Sequence, residues 1–193
     1  MKQVEKYQIF CDMDGVLVDL IRGVSETLYE NPPENASKNY IDIQSKARAI
    51  LNGKPITEEH LNKTHPKFIK EARNFLYRVL MDNRKFWMNL KWLSDGKKLW
   101  NYIEKFDPMI LSRPTDLQAV IGKKKWVKDN LGLSKEKVQI RYDKSPYAQH
   151  EGKIGILIDD FESNTRKFKE SGGLTILYKN ASQAIEELKA LGF

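Results

Sequence analysis

The chain has 193 residues, 40% of them hydrophobic and 31% charged, and its 33 Lys and Arg against 26 Asp and Glu give a formal net charge of +7. Such a composition can bury a core, unlike a disordered tail, and the length suits one domain or one domain with a large insertion. One cysteine, Cys11, excludes an intramolecular disulfide, no Cys and His cluster has zinc spacing, no apolar run reaches the roughly 20 residues of a membrane span, and the N-terminal MKQVEKYQIFCD carries acids where a signal peptide needs an apolar stretch. A soluble protein of a reducing compartment, the cytoplasm, is expected.

Taken in chain order, the first element is a strand, Tyr7 to Cys11, whose apolar run ends in Asp12-Met13-Asp14-Gly15. Residues 20–85 then show no strong strand; the breakers Asn31-Pro32-Pro33 and Asn52-Gly53-Lys54-Pro55 separate scattered helical patterns such as Phe68 to Leu80. Ser94 or Asp95 can cap a helix running to about Phe106, a strand follows at Met109 to Leu111, and Thr115 or Asp116 can cap a helix to about Asn130 with Gly132 as its stop. Strands follow at Val138 to Tyr142, Ile154 to Ile158 and Leu174 to Tyr178, and a last helix from about Ser182 to Leu191 places Ile185, Leu188 and Leu191 on one side. Trp92, Trp100 and Trp126 lie on helical patterns and read as core. Short, nearly uninterrupted apolar strands alternating with helices predict an α/β fold with a Rossmann-like parallel sheet covered by helices on both faces. Residues 1–19 and 86–193 form that core in this reading, and 20–85 is a small, mainly helical cap inserted after the first strand.

Four strand ends carry chemistry. Asp12 and Asp14 leave the first strand at the carboxyl edge, where α/β folds bind ligands, and Gly15 lets the backbone turn and approach a ligand closely. Two carboxylates in one small site repel each other, so the spacing itself implies a divalent cation or a retained proton. Ser112 ends the second strand just before backbone N–H groups that open a helix, a ready phosphate site. Lys144 follows the third, and Ile156-Leu157-Ile158 delivers a second acidic pair, Asp159 and Asp160.

Asp12-x-Asp14, Ser112, Lys144 and Asp159-Asp160, in that order, resemble the four motifs of the haloacid dehalogenase superfamily of phosphotransferases. Within it the chain is most similar to the 5'(3')-deoxyribonucleotidases, through Asp12-Met13-Asp14-Gly15-Val16-Leu17 with Asp19, Phe86-Trp87-x-Asn89-Leu90, Lys123 to Gly132, Asp143-Lys144 and Leu157-Ile158-Asp159-Asp160. The resemblance implies Asp12 as nucleophile, forming an aspartyl-phosphate, and Asp14 as general acid and base. It implies Mg²⁺ held by Asp12, the backbone carbonyl of Asp14 and Asp160, with Asp159 supporting the set. Ser112 and Lys144 would bind phosphoryl oxygens, and Phe86 and Trp87, where the insertion returns to the core, are candidates for stacking on a base.

The chain departs from that pattern at two places. Arg113 follows Ser112 where the family has a second hydroxyl, and a guanidinium is a competent bidentate phosphate ligand. Tyr142 stands where the family tends to have an arginine, with Arg141 displaced by one. His60, His65 and His150 match no motif.

The expected function is Mg²⁺-dependent hydrolysis of deoxyribonucleoside or ribonucleoside 5'-monophosphates, with a small-molecule nucleotide as partner and no membrane. Two alternatives stand beside it: a phosphatase of nucleic-acid 3'-phosphate ends or another phosphate ester, and a non-catalytic basic module that holds nucleic acid through its surface. The retained, mutually repelling acids speak against the last. The sequence carries no sign of the oligomeric state.

Overall fold

The computed structural model describes residues 4–81 and 83–193; the first three residues of the N-terminal stretch discussed above lie outside it. Strand β1, Tyr7–Cys11, is buried from its second residue onward. Helix α1, Leu20–Tyr29, buries Val24, Ser25 and Leu28. Helix α2, Lys38–Leu51, starts where the Ser37 side chain accepts the Tyr40 N–H and stops at Asn52, a residue that tolerates its left-handed φ of 47°. The single turn α3, Glu58–Leu61, precedes α4, Lys70–Leu80, whose buried Ala72, Phe75, Val79 and Leu80 follow a helical period. A short α5, Arg84–Met88, is capped by the Asn83 side chain.

The chain then alternates. Helix α6, Gly96–Ile103, leads to β2, Met109–Ser112, and α7, Leu117–Leu131, leads to β3, Val138–Ile140. Strands β4, Gln149–His150, and β5, Lys153–Asp159, are followed by α8, Glu162–Glu170, then β6, Leu174–Leu177, and α9, Ala181–Ala190. The six strands form one sheet in the order β3-β2-β1-β5-β4, with β6 also beside β5. All pairs are parallel except β4 with β5. The chain builds outward from β1 through β2 to β3, then crosses to the other side of β1 for β5. The β1 and β5 carboxyl ends therefore meet at a topological switch point, the place where open α/β sheets bind ligands.

Two compact units result. The sheet unit takes in the chain up to Asp19, Lys91–Pro114 and Lys123–Phe193; the helical unit takes in Leu20–Leu90 and Thr115–Gly122. Within the sheet unit Phe10, Met109, Leu111, Ala148, Leu157 and Phe168 pack as one cluster, and fully burying a ring such as Phe10 contributes about 2–3 kcal/mol.

The structure departs from the sequence reading in particular places. The third strand ends at Ile140 rather than Tyr142: Arg141 still donates its N–H to Ser112 O at 2.8 Å, but Tyr142 turns out to 64% exposure. The sheet is not wholly parallel, because Glu151 and Gly152, both left-handed (φ 50° and 77°), turn β4 into β5 as a tight hairpin. Helix α8 goes unnoticed in the sequence because it buries only Thr165 and Phe168. Asp95 stands at the start of α6 without capping it; its carboxylate accepts the Tyr178 hydroxyl (2.7 Å) and the Ala181 N–H (2.6 Å) instead. Trp92 is in no helix: it bridges to Val18 and packs on Trp126 with the rings tilted by 60°, 5.0 Å between centroids.

Candidate active site

Parallel pairing of β1 with β5 sets Cys11 opposite Ile158, and the Asp12 N–H continues the ladder to Ile158 O at 2.9 Å. Asp12 and Asp159 thus emerge side by side. After Asp12 the chain folds back on itself: Met13 O accepts the N–H groups of Val16, Leu17 and Val18, and Gly15 N–H donates to Val18 O. Gly15 closes this turn at φ 72°, and a Cβ there would lie 2.1 Å from Asp160 Oδ2. Glycine is required twice over, for the left-handed backbone and for the Asp160 carboxylate that rests on it.

The four acids and two lysines are then arranged as linked pairs. Lys144 Nζ lies 2.9 Å from Asp12 Oδ1 and 2.5 Å from Asp159 Oδ2. Asp159, fully buried, also accepts the Phe161 N–H at 2.9 Å and the Asn164 amide at 3.1 and 3.0 Å, so its oxygens are heavily committed inside the protein. On the other side Lys123 Nζ donates to Asp14 Oδ2 at 2.6 Å, Ser112 Oγ at 3.0 Å and Arg113 O at 2.6 Å. Burial raises the Asp14 and Asp159 carboxyls above the ordinary carboxylate range, with Asp12 pushing the same way and Lys123 and Lys144 respectively opposing. Burial pulls the Lys144 ammonium down, but Asp12 and Asp159 outweigh it and its pKa is raised.

Asp12, Asp159 and Asp160 each offer a carboxylate oxygen within 4.8 Å of the others. Asp12 Oδ1 and Asp14 Oδ1 are buried without a hydrogen bond among the described residues, although Lys144 ion-pairs with the first at 2.9 Å. Four carboxylates facing two ammonium groups leave a formal excess of two negative charges. Asp160 registers that excess: although exposed as a residue, its carboxyl is pushed up to about 7 by burial, then by Asp12 and Asp159. An all-oxygen set, a surplus of two charges and unsatisfied buried oxygens fit a divalent cation of the Mg²⁺ type.

Asp12, Asp14, Ser112, Lys144, Asp159 and Asp160 therefore gather at one edge of the sheet unit. Asp14 turns its carboxylate to Lys123 and is not in the three-acid cluster. Phe86 and Trp87 belong to the helical unit. Trp87 is 1% exposed with its indole N–H donated to Leu80 O at 3.1 Å, and Phe86 packs edge-on against it. Both rings serve packing, which corrects the expectation that they stack on a base. Nδ1 of His60 and of His65 accepts a local backbone N–H, from Thr57 and Lys67.

Sequence reasoning missed Lys123. It sits in a Lys123-Lys124-Lys125 run that reads as solvated charge, yet it is fully buried while its two neighbours are exposed. Its spacing to Trp126 and Val127, both buried, was the available signal: positions i, i+3 and i+4 share one helix face.

No family model matches the sequence, and no curated protein matches it. Solved structures do. A hydrolase from Streptococcus pneumoniae TIGR4 superposes with a TM-score of 0.52 at 13% identity, over 95% of this chain and 99% of that one. A haloacid dehalogenase-like hydrolase from Burkholderia xenovorans LB400 gives 0.54 at 10% identity, over 97% and 99%. The chain has the haloacid dehalogenase-like fold. In that fold the strand order found here brings the ends of β1, β2 and β5 together, which is why acids from opposite ends of this sequence share one site. Among the described residues no helix is long and apolar enough to cross a membrane.

Proposed function

We propose that the protein is a Mg²⁺-dependent phosphomonoesterase that hydrolyses nucleoside 5'-monophosphates, deoxyribonucleotides among them, through an aspartyl-phosphate. The observation that carries this reading is the pairing of a buried, lysine-neutralised carboxylate, Asp12, with a second carboxyl, Asp14, held above its ordinary pKa on the same turn.

An Asp12 oxygen attacks phosphorus in line as the bond to the sugar oxygen breaks. Asp14, whose burial favours the protonated form, gives its proton to the departing sugar oxygen. The resulting Asp14 carboxylate takes a proton from water, whose oxygen attacks phosphorus; the bond to Asp12 breaks and inorganic phosphate leaves. Lys144 offsets charge on Asp12 throughout, and Lys123 holds Asp14 and Ser112 in one geometry. Asp12 and Asp160, with the Asp14 carbonyl, would hold a Mg²⁺ ion, which would neutralise charge on the phosphoryl oxygens. Preorganised positive charge of this kind is the main lever in phosphoryl transfer.

The test is phosphate release from a panel of nucleoside 5'-monophosphates with Mg²⁺ and with chelator. Turnover only with Mg²⁺, and an acid-stable, hydroxylamine-labile phosphoprotein that requires Asp12, is expected. Absence of release under any divalent cation overturns the proposal.

A further inference from the structure

Beside the nucleophile lies a second cleft of about 180 Å³, with Lys144 as one wall. Its other walls bring Arg113 from the end of β2, Tyr142 to Ser145 from the loop after β3, and Asn164 and Lys167 from α8. The two cations differ from Lys144 and Lys123 in a way that matters. Lys144 and Lys123 are committed to carboxylates, whereas no ion pair or side-chain hydrogen bond engages the Arg113 guanidinium or the Lys167 ammonium among the described residues. The one acid of the cleft, Asp143, faces both, but it is occupied by Ser145, whose N–H donates to Asp143 Oδ1 at 3.0 Å. Asn164 is spent on Asp159. The cleft thus sets two cations against a single carboxylate and keeps a net positive charge, next to the group that steadies the nucleophile. Tyr142, 64% exposed on the cleft wall, adds an aromatic face, the element that stacks on a base in nucleotide sites.

We infer that this cleft binds a second phosphate of the substrate, so that the preferred substrate is a nucleotide carrying another phosphate besides the scissile one. This deepens the phosphomonoesterase reading and rests on it for the identity of the scissile group. A guanidinium offers a planar fork to phosphate oxygens and an ammonium a point charge, and the pair can hold one phosphate from two sides. The second phosphate can belong to a nucleoside 3',5'-bisphosphate or be the first phosphodiester of an oligonucleotide with a terminal phosphate. The chemistry recognised is the same in both.

The experiment compares three substrates, a nucleoside 5'-monophosphate, the matching 3',5'-bisphosphate and a terminally phosphorylated trinucleotide, by kcat/KM in the wild type and in Lys167→Glu, with Lys167→Gln as a milder second variant. It also measures their Kd on the Asp12→Asn protein with and without Lys167→Glu. The wild type is expected to favour a substrate with the second phosphate about tenfold, and Lys167→Glu to erase that ratio, a change corresponding to about 1.4 kcal/mol. Lys167→Gln should lose about half of it on a logarithmic scale. Preference for the trinucleotide over the bisphosphate identifies the phosphodiester as the source; the reverse identifies the monoester. Equal treatment of monophosphate and bisphosphate by the wild type, or a ratio and Kd values that Lys167→Glu does not move, overturns the inference. If no substrate is turned over but Lys167→Glu still weakens bisphosphate binding about tenfold, the second-phosphate cleft stands and the hydrolase reading falls.

Discussion

Among the described residues the sheet unit buries charge and the helical unit does not. In the helical unit the buried polar side chains are Ser25 and Gln44, and both end on backbone: Ser25 Oγ accepts the Ile56 N–H, and the Gln44 amide donates to the carbonyls of Thr27, Leu28 and Glu30. Those carbonyls lie at the C-terminal end of helix α1, where the last turn's carbonyls have no intrahelical donor. In the sheet unit Gln8 and Thr165 end on backbone too, but Asp12, Asp159, Lys123 and Lys144 are buried and charged, and the less buried Asp14 and Asp160 beside them leave carboxylates in excess. Uncharged buried groups that finish a helix are structural. A partly buried cluster in which carboxylates outnumber ammonium groups is costly to folding, and such imbalance is what active sites use.

The sharpest way to break that contrast is to remove one of the surplus charges. Asp12→Asn should lower turnover by about 10⁴-fold or more, since it deletes the attacking oxygen. It should leave Tm unchanged or raised, because it also relieves carboxylate crowding. Phosphate release and thermal melting on one preparation check both halves; a large fall in Tm would assign Asp12 to structure.

Lys123→Met comes next. It leaves Asp14 beside an empty place where an ammonium stood, and breaking one partner of a buried pair costs about 3 kcal/mol, the low end of the range because Asp14 keeps 24% side-chain exposure. Combining it with Asp14→Asn should restore part of that loss. Denaturant unfolding of both singles and the double, read as a mutant cycle, checks the coupling, and strictly additive losses would mean the two residues do not act as a pair.

That second prediction also marks how far the sequence could be read. Strand β1 is legible to the residue, Tyr7 to Cys11, because an apolar run stopped by Asp-x-Asp-Gly has few other solutions, and β2 and β6 are nearly so. Asp12, Asp14, Asp159 and Asp160 stand out because charge directly after an apolar strand is locally anomalous, whereas Lys144, four residues past Ile140, stands out only through the order of the motifs. Lys123 does not, since only the pitch of α7 decides which lysine of three points inward. Phe86 and Trp87 mislead for a related reason: an aromatic pair reads alike whether a ring meets a ligand or a neighbouring helix. Arg113 could be named but not placed, because its cleft is completed by α8, a helix with two buried residues and so almost no hydrophobic signal.

The pH dependence of the cation-free protein gives a smaller effect. Asp160 has its folded-state pKa raised from 3.8 to about 7, so between those values the folded state holds more protons than the unfolded one. Its contribution to stability is therefore present at low pH and is lost as pH rises from about 4 through about 7. Added Mg²⁺ replaces that proton, so it should raise Tm clearly at pH 8 and little at pH 5. At ten times its Kd the gain at pH 8 is about 1.4 kcal/mol. Equal stabilisation at both pH values would mean the cation is not held by these acids.

The smallest effect belongs to the helical unit and serves as the control. Gln44→Met keeps the side chain's length but removes the donor that Thr27, Leu28 and Glu30 carbonyls share. Arg48 also donates to two of them, Leu28 and Glu30, so only the Thr27 carbonyl is left without either side chain. The cost should be about 1 kcal/mol, the penalty for one poorly satisfied buried acceptor. Because Gln44 acts on the end of a helix and bears no unmatched charge, the loss should appear in the denaturant midpoint while kcat in Mg²⁺ stays at its wild-type value. A fall in kcat larger than twofold in correctly folded Gln44→Met would show that the helical unit's interior is tied to the chemistry, and the division between structural and chemical burial would have to be redrawn.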